Sequence, residues 1–304
     1  MIGARTKAED SETTARDIFL GATMLFLEIA LSFIIAIYVK WLEPSLSVVV
    51  ILFFRYLFCL PLLFIYGGIK HKSQLLHINK PKVLILRTIS GLIGLSVWFL
   101  ALTLIDISLA TALSQTMPIF ITILAALILG EKVGVRRMGA VVFGFVGVII
   151  LLGPTQLSGM SWGLVFGMLA PFFGALMFIF LRMLGRGESP VSTALWYNMT
   201  GTLIMGAIIT FGDLSFPNFD APINIWLMLI GIGALASLQQ LLMAASHAYA
   251  PASVLAPVHY TAIPLGFGVG VVFFNEQLTT TFLIGTGVIL MANYYILVRE
   301  RQKK

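Results

Sequence analysis

ATALSQTMPIFITILAALILGEK at residues 110–132 and LAPVHYTAIPLGFGVGVVFFNEQ at residues 255–277 share one layout. Each is an apolar run of helix-spanning length with a proline near its middle, Pro118 and Pro264, and a glutamate just past its end, Glu131 and Glu276. The helix that follows opens with glycines: Gly139, Gly144 and Gly147 after the first run, Gly285 and Gly287 after the second. The prolines fall one position out of register when the glutamates are aligned, so the repeat is one of pattern more than of sequence.

Working outward from these stretches, apolar runs between turn and charge clusters mark ten spans: 18–39, 45–67, 83–104, 109–129, 138–152, 162–183, 191–211, 225–246, 252–274 and 280–298. Most approach or exceed the roughly 20 residues that cross a hydrocarbon core. The short fifth run is expected to borrow residues 133–137. Composition agrees: 59% of 304 residues are hydrophobic and 11% are charged, more apolar surface than a soluble domain hides.

Residues 1–16 are polar and lack the apolar core and cleavage site of a signal peptide, so they read as a cytoplasmic tail. With that end inside, every one of the 19 Lys and Arg residues except Lys40 and Arg55 falls on cytoplasmic loops, which fixes an even number of spans with both termini inside. The spans divide into two fives around the loop at 153–159. Five is odd, so the second half inserts upside down relative to the first. The expected fold is an all-α polytopic membrane protein with ten transmembrane helices in two inverted five-helix repeats, 17–153 and 154–298, between cytoplasmic tails at 1–16 and 299–304.

Glu28 and Arg55 are the charges placed deep inside apolar runs. Glu28 is about 10 residues from either end of its helix, roughly 15 Å at 1.5 Å per residue. Charges there are costly and usually mark a polar cavity or transport path. Two readings stand: an ion pair locking helices 1 and 2 together, or a working pair in which Glu28 takes up protons and Arg55 tunes it or holds an anionic group of a solute.

Pro118 and Pro264 each remove a backbone donor and free a carbonyl one turn back, near the midplane. Broken helices at matching positions in inverted halves point to a binding site. Polar and aromatic side chains gather nearby: Ser114 and Gln115 in helix 4, His259 and Tyr260 in helix 9, Trp98 in helix 3, Gln239 and Gln240 in helix 8. Such groups hydrogen-bond a polar solute or stack on a ring, and equally well bond helices to each other. Glu131 and Glu276 read as caps on the next helix rather than as working groups. The pairs Gly130/Gly134, Ala140/Gly144, Gly163/Gly167 and Gly266/Gly270 read as close-packing devices, and offer an interface for a homodimer.

Several classes are excluded. Cys59 is the lone cysteine, so there is no intrachain disulfide, and no thiolate metal site is expected. No HExxH motif, phosphate-binding loop or nucleophile with a base beside it occurs, which argues against catalysis and any cofactor. The net charge of +6 follows from topology and needs no nucleic acid. The rivals left are a membrane-embedded enzyme built on His259 and a non-transporting receptor, and the loops at 68–82 and 212–224 offer such a receptor little surface.

The stretch FLALTLIDISLATALSQTMPIFITILAALILGEKVGVRRMGAVVFGFVGVIILL, residues 99–152, resembles the drug/metabolite transporter superfamily, in its ten-helix EamA-type branch, through Ala101, Ala110, Pro118, Glu131, Gly139 and Ala140. The second half is similar at Ala248, Pro264, Glu276, Gly285 and Gly287. The resemblance spans residues 18–298. It implies a secondary carrier in the inner membrane that moves an amino acid, nucleoside-like compound, vitamin or drug by alternating access. It also sets Glu28 beside the proton-binding glutamate that related small multidrug resistance carriers hold in their first helix, and an Arg in helix 2 is part of the wider pattern without necessarily touching solute.

Overall fold

The computed structural model describes residues 15–71, 75–131, 133–158, 161–185, 188–218, 221–250, 255 and 258–301. Among them no strand occurs, and eleven helices, besides helical residues at Leu255, Val258 and His259, follow in order. They are α1 (Ala15–Leu42), α2 (Val48–His71), α3 (Pro81–Leu104), α4 (Ile107–Ser114), α5 (Met117–Leu129), α6 (Val135–Ser158), α7 (Trp162–Leu184), α8 (Pro190–Phe211), α9 (Ile223–Tyr249), α10 (Ala262–Phe274) and α11 (Thr280–Arg301). Eight stretches are long and apolar enough to cross a membrane, α4 and α5 counting together as one, and 138–153 and α10 are shorter apolar helices. In a bilayer a helical backbone satisfies its own polar groups.

The fourth apolar run is two helices, not one. α4 stops at Ser114, and α5 starts at Met117 with Pro118 in its first turn. The pyrrolidine ring has no N–H for the Ser114 carbonyl and would collide with it, so the ladder breaks there and restarts. Thr116 seals the break: its amide and its Oγ1 both donate to the Leu113 carbonyl, at 3.0 and 2.7 Å. The ninth run repeats this 145 positions on, where the Thr261 amide and Oγ1 donate to the Val258 carbonyl at the same two distances. α5 and α10 are both 13 residues long.

They also end alike. Gly130 and Asn275 take left-handed backbone (φ 67° and 53°), the residue types that tolerate it best. The next amides, of Glu131 and Glu276, reach back to the Ala125 and Gly270 carbonyls at 3.2 and 3.1 Å. Gly130 is therefore a turn residue, and a side chain at Gly134 would meet open space, so that pair is not the packing device expected from spacing.

Packing couples distant parts of the chain. α1 lies along α9, α3 along α7, and α6 along α11, while α2 packs on both α8 and α9. The α6–α11 seam is close because glycines line it: a side chain at Gly147 would meet Ile289, and one at Gly285 would meet the Leu151 backbone. The largest apolar core, built on Ile51, Tyr56, Leu63, Phe99, Leu195 and Ile232, joins α2, α3, α8 and α9. The stretch read as a loop at 153–159 departs from expectation: α6 continues to Ser158 across a kink at Gly153 (φ 62°, ψ 175°).

Candidate solute-binding site

Glu28 sits on the face of α1 that meets α9. Its Oε1 accepts a hydrogen bond from Gln239 Nε2 at 2.9 Å, and no cation lies within ion-pair distance among the described residues. The Glu28–Arg55 ion pair, one of the two readings of these charges, is therefore absent among the described residues. α1 and α2 touch little, and each packs instead on α9, so the two charges face different neighbours. Gln239 points to α1, while Gln240 points the other way: its Nε2 donates to Cys59 Sγ at 3.2 Å, and its Oε1 accepts from Asn198 Nδ2 at 3.4 Å.

Around the two helix breaks, Ser114, Gln115, Pro118, His259 and Tyr260 are half-buried, as are Glu28, Trp98 and Gln239, whereas Pro264 is exposed. Trp98 packs against the cluster of Ile29, Phe33, Leu102 and Leu255, which brings helix 3, the face of α1 beside Glu28 and the start of the ninth run into one region. Ser114 spends its hydroxyl on the Thr111 carbonyl at 2.6 Å. The Gln115 side-chain amide, Trp98 indole N–H, His259 ring and Tyr260 hydroxyl make no hydrogen bond among the described residues. Asn293 of α11 donates to the Gln115 carbonyl at 2.6 Å, bracing the break.

Each end of the bundle carries an ion pair. Arg182, third from the end of α7, pairs with Glu131 at 2.7 Å. Lys40, third from the end of α1, lies 3.6 Å from Glu276 and donates to the Ile105 carbonyl at 3.1 Å. Glu276 does more: its oxygens accept from the Ile107 and Ser108 amides at 2.6 and 3.0 Å. It caps α4, in the other half of the chain, and not α11, the next helix, as expected from sequence. Beside it, Asp106 is exposed, yet partial burial of the carboxyl and then the Glu276 charge raise its pKa above the ordinary value, with Lys40 acting the other way. At the α3 start, Glu188 accepts from the Asn79 and Lys80 amides at 2.8 Å each.

Sequence reasoning missed Arg87 and Asn293. Arg87, counted with the cytoplasmic loops, is the seventh residue of α3 and 9% exposed. Its position five residues into an apolar run was the available signal. Asn293 stands alone in a helix otherwise apolar for several residues on either side.

Among the described residues, eight long apolar stretches define a polytopic membrane protein. The chain belongs to the EamA-like transporter family, whose pattern matches residues 19–153 and again 161–298. A riboflavin transporter of Brucella anthropi is 30% identical over 71% of this chain and 76% of its own length. An S-adenosylmethionine uptake transporter of Rickettsia bellii is 26% identical, covering 86% and 88%. The pseudopaline exporter CntI of Pseudomonas aeruginosa is 24% identical over 87% and 90%. A crystal structure 15% identical in sequence superposes with a TM-score of 0.62 over 95% of this chain and 99% of that one, and shares the fold. These findings place the chain among transporters.

Proposed function

We propose that the chain is a secondary transporter of the inner membrane, built from two inverted five-helix halves with both tails in the cytoplasm, and that it carries its solute by alternating access through the region between the two helix breaks. The observation that carries this is the correspondence of the breaks at an offset of 145 residues, each with polar side chains beside it that make no hydrogen bond among the described residues: Gln115 at one, His259 and Tyr260 at the other. The paired packing of α1 on α9 and α3 on α7 supports the inverted relation, as does the double match to the family pattern.

The groups suit a ring-bearing solute with several hydrogen-bonding atoms. Trp98 and Tyr260 offer aromatic faces, and Gln115, Gln239, His259 and Glu28 offer donors and acceptors. Riboflavin, the named solute of the Brucella anthropi relative, is of this kind and is the first to test. Glu28, held only by an amide, is the proton-coupling candidate; a carboxyl in such a setting gains or loses a proton without breaking an ion pair. The ion pairs Lys40–Glu276 and Arg182–Glu131 tie the two proposed halves at opposite ends, and opening one while the other holds is the simplest alternation.

Counterflow in proteoliposomes tests this. Vesicles preloaded with unlabelled riboflavin are expected to accumulate labelled riboflavin transiently, with S-adenosylmethionine and aromatic amino acids run as alternative solutes. Accumulation of any one supports the carrier reading and names its solute. No accumulation of any member, by protein that melts cooperatively, would count against it.

A further inference from the structure

Arg55 and Arg87 are buried at 7% and 9% exposure, on α2 and α3. Arg55 Nη1 and Arg87 Nε and Nη1 are buried with no hydrogen-bond partner among the described residues. Among the described residues no carboxylate is within ion-pair distance of either. The interior acid, Glu28, is held by Gln239, while Glu131, Glu188 and Glu276 are committed to Arg182, to the α3 start, and to Lys40 with the α4 start. A guanidinium does not shed its proton to escape burial.

Both cations rest against one pair of tyrosines. The Arg55 guanidinium lies 5.3 Å from the Tyr56 ring and that of Arg87 lies 4.6 Å from the Tyr197 ring. The two rings meet edge to face at 5.5 Å with their hydroxyls 3.3 Å apart. Gly201 gives the Tyr56 ring its room, since a side chain there would meet the ring at 2.7 Å. Ring faces soften the burial of a cation but leave its N–H donors unmet. Asn198, one residue on from Tyr197, likewise keeps a buried Oδ1 without a partner.

We propose that Arg55 and Arg87, with the Tyr56–Tyr197 pair beside them, form an oxyanion-binding site at the junction of α2, α3 and α8, separate from the Glu28–Gln239 region on the far side of α9. Phosphate and carboxylate are the chemistry that two unpaired guanidinium groups recognise. The oxyanion comes either from a soluble solute or from the headgroup of an anionic lipid. The solute arm rests on the transporter reading above; the melting experiment below does not depend on counterflow, so each can fail alone.

The test is thermal melting of the purified full chain in an uncharged detergent. The probes are inorganic phosphate against sodium chloride at matched ionic strength, and phosphatidylglycerol against phosphatidylcholine. The wild type is expected to melt higher with phosphate, phosphatidylglycerol or both. Arg55→Gln and Arg87→Gln should each raise the half-maximal concentration of the active probe at least tenfold. A response to phosphate assigns the soluble source, and a response confined to phosphatidylglycerol assigns the lipid. Because each variant removes an unpaired buried charge, both are expected to fold and to melt no lower than wild type without probe. The proposal is overturned if neither probe exceeds its control, or if both variants respond as wild type does.

Discussion

Glu276→Gln isolates the charge of the carboxylate that holds α4 while preserving its size. In the native protein that carboxylate is buried, with 3% of its side chain exposed, and it accepts two amide protons at 2.6 and 3.0 Å while facing Lys40 at 3.6 Å. A hydrogen bond to a charged acceptor contributes about 1 kcal/mol more than a neutral one, so the two amides together lose about 2 kcal/mol. Loss of negative charge at the α4 start and beside Lys40 adds roughly 0.3–2 kcal/mol. Gln also turns an N–H toward an amide that needs an acceptor, which only deepens the loss. The expected cost is about 2–4 kcal/mol, read from equilibrium unfolding in mixed detergent micelles. Glu131→Gln is the matched control: its pair with Arg182 has 32% and 57% of the side chains exposed, and such pairs contribute about 0–1 kcal/mol. Equal costs for the two variants, or a Glu276→Gln cost below about 1 kcal/mol, would refute the argument that the buried cap dominates.

Other outcomes follow from the same structure. Asp106 has a raised pKa in the folded chain, so folding favours its protonated form and stability falls as pH rises through that pKa; Asp106→Asn should melt higher than wild type at pH 7 and flatten that pH dependence. Gly285→Ala drives a side chain into the Leu151 backbone across the α6–α11 seam and should cost about 1–3 kcal/mol, whereas Gly287→Ala meets open space and should be neutral by the same unfolding assay. Glu28→Gln keeps the partner for Gln239, so it should fold normally yet lose any flux driven by a pH gradient; gradient-driven flux that survives would remove Glu28 from proton coupling. For orientation, in a Cys59→Ser background, a cysteine replacing Glu43 should label from outside intact cells and one replacing His77 should not.

The breaks in the fourth and ninth runs were legible because proline acts locally: Pro118 fixes the end of α4 at Ser114 whatever surrounds it. Pairings between distant helices were not legible in the same way. That Glu28 faces Gln239 and not Arg55 depends on α1 packing on α9, 211 positions along the chain, which no local pattern encodes. Glu276 was legible as a cap, but not which helix it caps, since the Ile107 amide it binds lies 169 positions away. Arg87 was hidden by its nearness to the start of α3: the positive-inside pattern assigns such an Arg to the headgroups, and only the Tyr197 ring beside it shows that it turns inward. Residues 153–159 were read as a loop between the halves, yet the chain kinks at Gly153 and α6 runs on to Ser158.

The central claim is that solute passes between the two helix breaks, and riboflavin counterflow by Gln115→Leu, Tyr260→Leu and the double variant tests it most directly, or counterflow of whichever solute the wild type accepts. Neither side chain makes a hydrogen bond among the described residues, so melting temperatures should stay within about a degree or two of wild type, the range of surface-like substitutions. Counterflow by the double variant is predicted to fall at least tenfold at unchanged melting temperature, and counterflow at the wild-type rate would contradict the account.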